Sequence, residues 1–137
     1  MSEKQEPYIP LRCPGCIFCS EEISKRIIAS HGSVFAIEDK YPVTRGHLLI
    51  IPYRHTSDYF SMTPEERQDA DKLLRLLKSK ILGEDKTVTG FNIGMNCGEI
   101  AVQTVMHAHI HLIPRREGDV EDPKGGIRHV IPGKGNY

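Results

Sequence analysis

Thr63-Pro64-Glu65-Glu66-Arg67-Gln68-Asp69-Ala70-Asp71-Lys72-Leu73-Leu74-Arg75-Leu76-Leu77-Lys78-Ser79-Lys80-Ile81-Leu82-Gly83 reads as one amphipathic helix with both ends marked. Thr63 is a good capping residue and Pro64 suits the first helical position. Glu66 stands where a capping box needs a side chain that reaches back to the cap. Ala70, Leu73, Leu74, Leu77 and Ile81 recur at helical spacing and make a single apolar stripe. Gly83 falls where a C-terminal cap is expected, so the helix is predicted from Pro64 to about Leu82. On both sides of it the pattern changes. Two short strands are expected between Arg26 and Ile37, broken in a hairpin at His31-Gly32-Ser33. Residues 40–46 carry Pro42 and Gly46 and read as a loop. Leu48–Ile51 is a continuous apolar run, read as a fully buried strand stopped by Pro52. Two more strands are expected near Thr89–Met95 and Val105–Ile113. Strands, one long helix, then strands define an α+β fold: a mainly antiparallel sheet with the helix packed on one face.

The chain of 137 residues is 39% hydrophobic, enough for one domain with a real core, and no repeat divides it. A single domain over 1–137 is therefore expected. Residues 1–12 form an N-terminal arm in this reading, and 117–137 an irregular tail rich in Gly and Pro. Ile127, Val130 and Ile131 give that tail a reason to dock. Eighteen Lys and Arg balance eighteen Asp and Glu, which argues against a nucleic-acid partner held by bulk charge. A near-neutral surface mildly favours self-association. Met1–Tyr8 has no apolar core of a signal peptide, and no apolar run is long enough to cross a bilayer, so no membrane partner and a cytoplasmic location are expected. In a reducing compartment the four cysteines read as thiols or metal ligands rather than disulfides.

The chemistry concentrates in His107-Ala108-His109-Ile110-His111-Leu112-Ile113. On a strand the three histidines share one face and Ala108, Ile110 and Leu112 the other. Imidazole can attack phosphorus, donate a proton near neutral pH or bind a metal. From spacing alone three readings stand: structural histidines, ligands of a catalytic zinc, or a metal-free nucleophilic site. Cys13-Pro14-Gly15-Cys16-Ile17-Phe18-Cys19 holds two overlapping C-x-x-C pairs, each a common half of a tetrahedral zinc site, although reduced thiols would have the same spacing. Gly90-Phe91-Asn92-Ile93-Gly94 is no dinucleotide fingerprint, because no helix follows it. Cys97 has no role beyond packing in this reading. Lys78–Lys80 and Arg115-Arg116 read as solvated faces, with Arg115 also a candidate for a distal phosphate. Lys124, Arg128 and Lys134 in the tail are candidates to reach a polyphosphate.

The flanking residues narrow the choice. Gln103-Thr104-Val105-Met106-His107-Ala108-His109-Ile110-His111-Leu112-Ile113-Pro114-Arg115 resembles the signature of the histidine-triad (HIT) hydrolase family. So do Gly46-His47-Leu48-Leu49-Ile50-Ile51-Pro52-Tyr53-Arg54-His55, Cys16-Ile17-Phe18-Cys19 and Gly90-Phe91-Asn92-Ile93-Gly94-Met95-Asn96, in the family's order over roughly residues 16 to 115. The resemblance implies a HIT-like fold and catalytic roles for four histidines. His109 would attack the α-phosphate and form a nucleotidyl-histidine, which water then hydrolyses. His111 would hydrogen-bond the phosphate or the leaving-group oxygen, His47 would buttress the triad, and His107 is its first member. It also implies substrate contacts: Asp39 to the ribose, and Asn96, Gln103 and Thr104 to phosphate or leaving group. Zinc-containing members resemble this chain in a Cys16, Cys19, His55 and His107 set, which would be a structural zinc site, and no organic cofactor is expected. A homodimer follows because the family usually forms one. His111, where the transferase branch carries glutamine, favours hydrolysis. The run from His111 to Asp119 looks closer to hydrolases of dinucleoside polyphosphates, such as diadenosine tri- or tetraphosphate. A purine nucleoside phosphoramidase is the alternative, and a nucleotide-binding regulatory module the non-enzyme one. One departure is Val102, where the family usually has glycine.

Overall fold

The computed structural model describes residues 13–135; the expected N-terminal arm, residues 1–12, lies outside the described residues. Five strands form one antiparallel sheet: β1 (Ile27–His31), β2 (Val34–Glu38), β3 (Leu48–Pro52), β4 (Val88–Gly94) and β5 (Ile110–Arg116), in the order β1-β2-β3-β5-β4. Among the described residues a single α-helix, α1 (Pro64–Glu84), joins β3 to β4. The last strand thus lies between β3 and β4, with Leu49 opposite His111 and Asn92 opposite Ile113.

The expected helix start is present in detail. The Thr63 side chain accepts from the Glu66 amide at 3.0 Å, and the Thr63 amide donates to Glu66 Oε1 at 2.8 Å. Ala70, Leu73 and Leu77 are buried, with Leu74 and Ile81 packed alongside, against Val34, Ala36, Leu48, Ile50, Ala108, Ile110 and Leu112 on one face of the sheet. Phe35, Ile37, Leu49 and Ile51 point to the opposite face and pack with Phe18 and Ile23 of the N-terminal loop. Alternation along β2 and β3 therefore feeds two apolar clusters, which is why both strands are buried almost throughout.

Three boundaries differ from the sequence reading. Gly83 is not the cap: the helix continues to Glu84 and the Asp85 amide closes it on the Ile81 carbonyl at 2.9 Å. The stop comes from Asp85, whose carboxylate is held by Thr87 and Arg116. The hairpin turn is Gly32-Ser33 alone. Gly32 has φ +56°, and a Cβ there would collide with the Asp69 carboxylate that holds the Ser33 amide and hydroxyl. The fifth strand starts at Ile110 rather than Val105, because the Ala108 amide is taken by the Thr56 carbonyl at 2.7 Å and the chain bends through 105–107. Among the described residues no helix is long and apolar enough to cross a membrane.

Candidate active site and metal centre

The functional residues gather on the sheet face opposite α1. Cys13–Cys19 makes two successive turns, with the Cys16 amide bonded to the Cys13 carbonyl and the Cys19 amide to the Cys16 carbonyl, each at 3.1 Å. These turns bring Cys16 and Cys19 to the same place as His55, which follows β3, and His107, which precedes β5. Their ligand atoms all lie within 4.8 Å of one another. Cys16 Sγ is 3.6 Å and Cys19 Sγ 3.4 Å from His107 Nδ1, while Cys19 Sγ and His107 Nδ1 are each 3.2 Å from His55 Nδ1. Four such atoms bound about 2.0–2.3 Å from one tetrahedral ion would stand about 3.3–3.8 Å apart. His107 Nε2 donates to the Pro52 carbonyl at 2.8 Å, so its Nδ1 carries the lone pair that a metal needs. These four residues could hold a metal, and the donor set suits zinc. Cys13 is exposed and outside the cluster. His55 is positioned by its neighbour, since Arg54 grips the buried Glu66 carboxylate through Nε and Nη2 at 2.9 and 2.8 Å.

The other two triad histidines stand beside this Cys–His cluster. Phe18, between the two cysteine ligands, packs edge-on against both His107 and His109, with ring centroids 5.9 and 5.2 Å apart. His109 and His111 follow at 5.4 Å, and His111 and His47 at 5.1 Å. Hydrogen bonds fix the tautomers. His109 Nδ1 donates to the His107 carbonyl at 2.8 Å, which leaves Nε2 with the free lone pair. The Val43 amide donates to His47 Nδ1 at 3.1 Å, so His47 carries its proton on Nε2 and donates it to His111 Nδ1 at 2.9 Å. The remaining proton of His111 is then on Nε2. Burial, joined by the charges of His109 and His47, pushes the His111 pKa down to about 4. Burial likewise lowers that of His47, against the pull of Asp39. Both rings are therefore neutral near pH 7.

Asp39, His47 and His111 also cluster closely enough to hold a cation. The Val43 amide argues against one. A metal on His47 Nε2 would move the ring proton to Nδ1, where it would face that N–H. His47 gives its one Nε2 proton to His111, and the Asp39 carboxylate stands beside the pair, its Oδ2 3.3 Å from His47 Nε2 and 3.9 Å from His111 Nδ1.

The remaining predicted contacts are placed as follows. Asn96 lines a cavity of about 450 Å³ together with His47, His111 and Asn92. Thr104 is exposed in the segment before the triad. Gln103 is buried, and its amide is engaged with backbone: it accepts from Gly98 at 2.8 Å and donates to Ser57 and Val105 at 2.6 and 3.0 Å. The turn before it explains the departure at Val102. The Val102 amide bonds the Glu99 carbonyl and the Gln103 amide the Gly98 carbonyl, a Schellman arrangement whose C′ residue needs positive φ. Val102 has φ +65°, and among the described residues it is the one non-glycine so placed.

Arg115 and Arg116 are not solvated faces. Arg115 is clamped by both Asp119 oxygens at 2.7 and 2.9 Å and donates to Asn92 Oδ1 at 2.6 Å. Arg116 joins Thr44, the Arg45 carbonyl, Asp85 and Thr87. The tail's short 3-10 turn, Gly126–Val130, brings Ile127, His129 and Val130 to the cavity wall, but Ile127, Val130 and Ile131 each stay more than half exposed, so the expected docking of the apolar tail residues is not made within the described residues. Sequence reasoning missed Phe18 as the link between the two centres, the Val43 amide, the Pro52 carbonyl and Asn92. Two of these are backbone groups, which carry no residue signature.

This sheet, with its histidine-lined face and one covering helix, is that of a known family. The HIT domain profile matches residues 20–118. The chain belongs to the HIT family. It is 36% identical over 123 residues to an uncharacterized HIT-like protein of Methanocaldococcus jannaschii, covering 84% of this chain and 91% of that one. It is 31% identical over 109 residues to the adenosine 5'-monophosphoramidase of Candida albicans (74% of this chain, 71% of the other). With the AP-4-A phosphorylase of Mycobacterium tuberculosis it shares 32% identity over 98 residues, covering 68% of this chain and 48% of that enzyme. Among solved structures, a Zn-bound histidine triad family protein from Mycobacterium smegmatis superposes with a TM-score of 0.69 at 34% identity, covering 77% of this chain and 78% of that one.

Proposed function

We propose that the protein is a nucleotide hydrolase that acts at an α-phosphate through a covalent nucleotidyl-histidine, and that its substrates are asymmetrically cleaved dinucleoside polyphosphates. The observation that carries this reading is the tautomer of His109: its Nδ1–H is held by the His107 carbonyl, so the lone pair of the neutral ring is on Nε2, beside the Nε2–H of His111. Nε2 attacks the α-phosphorus, and the bond from phosphorus to the bridging oxygen breaks. The leaving phosphate departs with that electron pair, hydrogen-bonded by His111. The ring of the intermediate is positively charged, and its Nδ1–H bond to the His107 carbonyl stabilises it. Water then attacks phosphorus, the P–N bond breaks, its electrons return to Nε2, and the water proton leaves to solvent. Asp39 takes the ribose hydroxyls in this reading, and Asn96 and Thr104 line the phosphate path. Gln103, whose amide is already engaged, shapes the loop that carries Thr104.

Zinc at Cys16, Cys19, His55 and His107 would supply a structural cross-link and no catalytic step. Bound there, it would keep the carbonyl and ring of His107 in register with His109. The chain acts as a cytoplasmic homodimer in this proposal. The edge strand β4, with half-exposed Ile93, and the neighbouring α1 face are the surfaces that pair. The likeness to a monophosphoramidase favours a second reading, in which phosphorus–nitrogen bonds are cleaved. Side-by-side turnover of diadenosine tetraphosphate and adenosine monophosphoramidate, with acid-quench trapping of the nucleotidyl-protein, tests both. Nucleotide binding without turnover of either substrate or a trapped adduct would leave a regulatory binding module.

A further inference from the structure

Gly90-Phe91-Asn92-Ile93-Gly94 takes no part in the chemistry described above, yet it forms the β4 stretch beside the triad. Gly94 pairs with His111, Asn92 with Ile113 and Gly90 with Arg115. Alternation puts these three β4 positions on the same sheet face as His111, Ile113 and Arg115. Two of the three are glycines, so Asn92 is the only side chain that β4 raises on this face between His111 and Arg115. A Cβ at Gly90 would already touch Arg115, and one at Gly94 would touch Ile127. The glycines keep the shelf clear, and the cavity that reaches His47 and His111 extends along it to Asn92 and Arg115.

The orientation of Asn92 is forced. Its Oδ1 receives the Arg115 Nη1 donor at 2.6 Å, and a guanidinium can only donate. The two N–H groups of the amide must therefore face away from Arg115. Arg115, which also lines the cavity, is committed to Asp119 through both carboxylate oxygens. With the guanidinium charge paired to Asp119, the donor free to meet a distal phosphate at this point of the shelf is the amide that the guanidinium orients.

We propose that Asn92 is a substrate-binding residue for the leaving group, donating from Nδ2 to a non-bridging oxygen of the phosphate beyond the one attacked, with Arg115 and Asp119 as its positioning residues. The inference rests on the hydrolase reading and deepens it. The row His109, His111, Asn92 runs in one direction along β5 and its neighbour, so a polyphosphate attacked at His109 lays its outgoing phosphates over Asn92. A phosphoramidate, which releases ammonia, places nothing there. The site therefore discriminates by the charge and length of what departs.

The test compares wild type with Asn92→Ala, Asn92→Asp and Arg115→Met on diadenosine tetraphosphate and on adenosine monophosphoramidate. A hydrogen bond to a charged group corresponds to roughly a ten- to hundredfold effect. Asn92→Ala should lower kcat/KM for the tetraphosphate by that factor while changing the phosphoramidate by less than about twofold, and Asn92→Asp, which sets a carboxylate against the anion, should lower it further. Arg115→Met should reproduce the same substrate-selective loss with melting temperature monitored, and Arg115→Lys, which keeps one donor for Asn92 Oδ1, should recover part of it. Equal losses on both substrates, or none on the tetraphosphate, overturn the inference while leaving the nucleophile assignment standing. A wild type that cleaves only the phosphoramidate overturns it together with the polyphosphate reading. A wild type that forms no nucleotidyl adduct with either substrate removes the hydrolase reading itself.

Discussion

At the scale of single residues, two positions make sharp statements. His109→Ala removes the only atom asked to form a bond to phosphorus while leaving the cavity walls intact. Turnover should vanish and nucleotide affinity should change by less than tenfold, about 1.4 kcal/mol; calorimetric titration alongside a rate assay measures both, and near-normal turnover would take the nucleophile role from His109. Val102 is the second. Its φ of +65° places a β-branched side chain in a conformation that costs about 1–2 kcal/mol for an L-residue. Val102→Gly should relieve that strain, less the extra entropy of a glycine in the unfolded chain, and raise stability by about 1 kcal/mol. Chemical denaturation reads this directly, and a destabilised Val102→Gly would mean that the valine side chain makes contacts outweighing its backbone. The sequence comparison with the family located this position, but only the torsion explains why glycine is the usual residue.

At the scale of elements, the helix was readable because its signals are local: a cap, a proline, a reciprocal glutamate and a stripe, all within one segment. Its C-terminus was misplaced by two residues because the stop depends on Arg116, which arrives from β5 to hold Asp85. The start of β5 was misread for the same reason, since the Thr56 carbonyl that diverts Ala108 is remote in sequence. Arg115 and Arg116 looked solvated because their partners at Asn92, Thr44 and Thr87 cannot be inferred from spacing. The Cys16–Cys19 loop, in contrast, was legible as half a metal site, and the histidine half came from the family likeness. The two halves are 91 residues apart from Cys16 to His107, and a cross-link over a loop of that size is worth about 4.6 kcal/mol by the chain-entropy argument. Cys16→Ser should therefore lower bound zinc and melting temperature while retaining measurable turnover, because the metal touches no phosphate. Elemental analysis and calorimetry of protein purified without chelator provide the numbers. Complete loss of turnover on zinc removal, with circular dichroism unchanged, would make the metal catalytic and replace the mechanism.

At the scale of the whole molecule, the neutral His47–His111 pair ties stability to pH. A free histidine titrates near about 6.5, and in the folded protein burial brings His111 down to about 4. Between those values the unfolded chain binds the proton more readily, so the stability held by the neutral ring is present above about 6.5 and is lost as pH falls toward 4. The unfolding free energy should decline by roughly 3 kcal/mol from this ring over that interval. A His111→Asn variant should show a shallower decline, and an identical slope would mean that other groups govern the acid limb. The strand order has its own outcome for how the chain is made. During synthesis β1, β2 and β3 can zip together as they emerge, but β4 has no partner until β5 has been delivered between it and β3. Helix α1 must therefore wait beside a half-built sheet, its buried stripe covered only in part. The nascent chain spends that interval with β4 unpaired and with two cysteines whose histidine partner at 107 has not yet been translated. A zinc site that needs His107 cannot be complete before that residue has been translated, so a ribosome-bound chain stalled ahead of it should hold zinc poorly however much of the hairpin it has already formed.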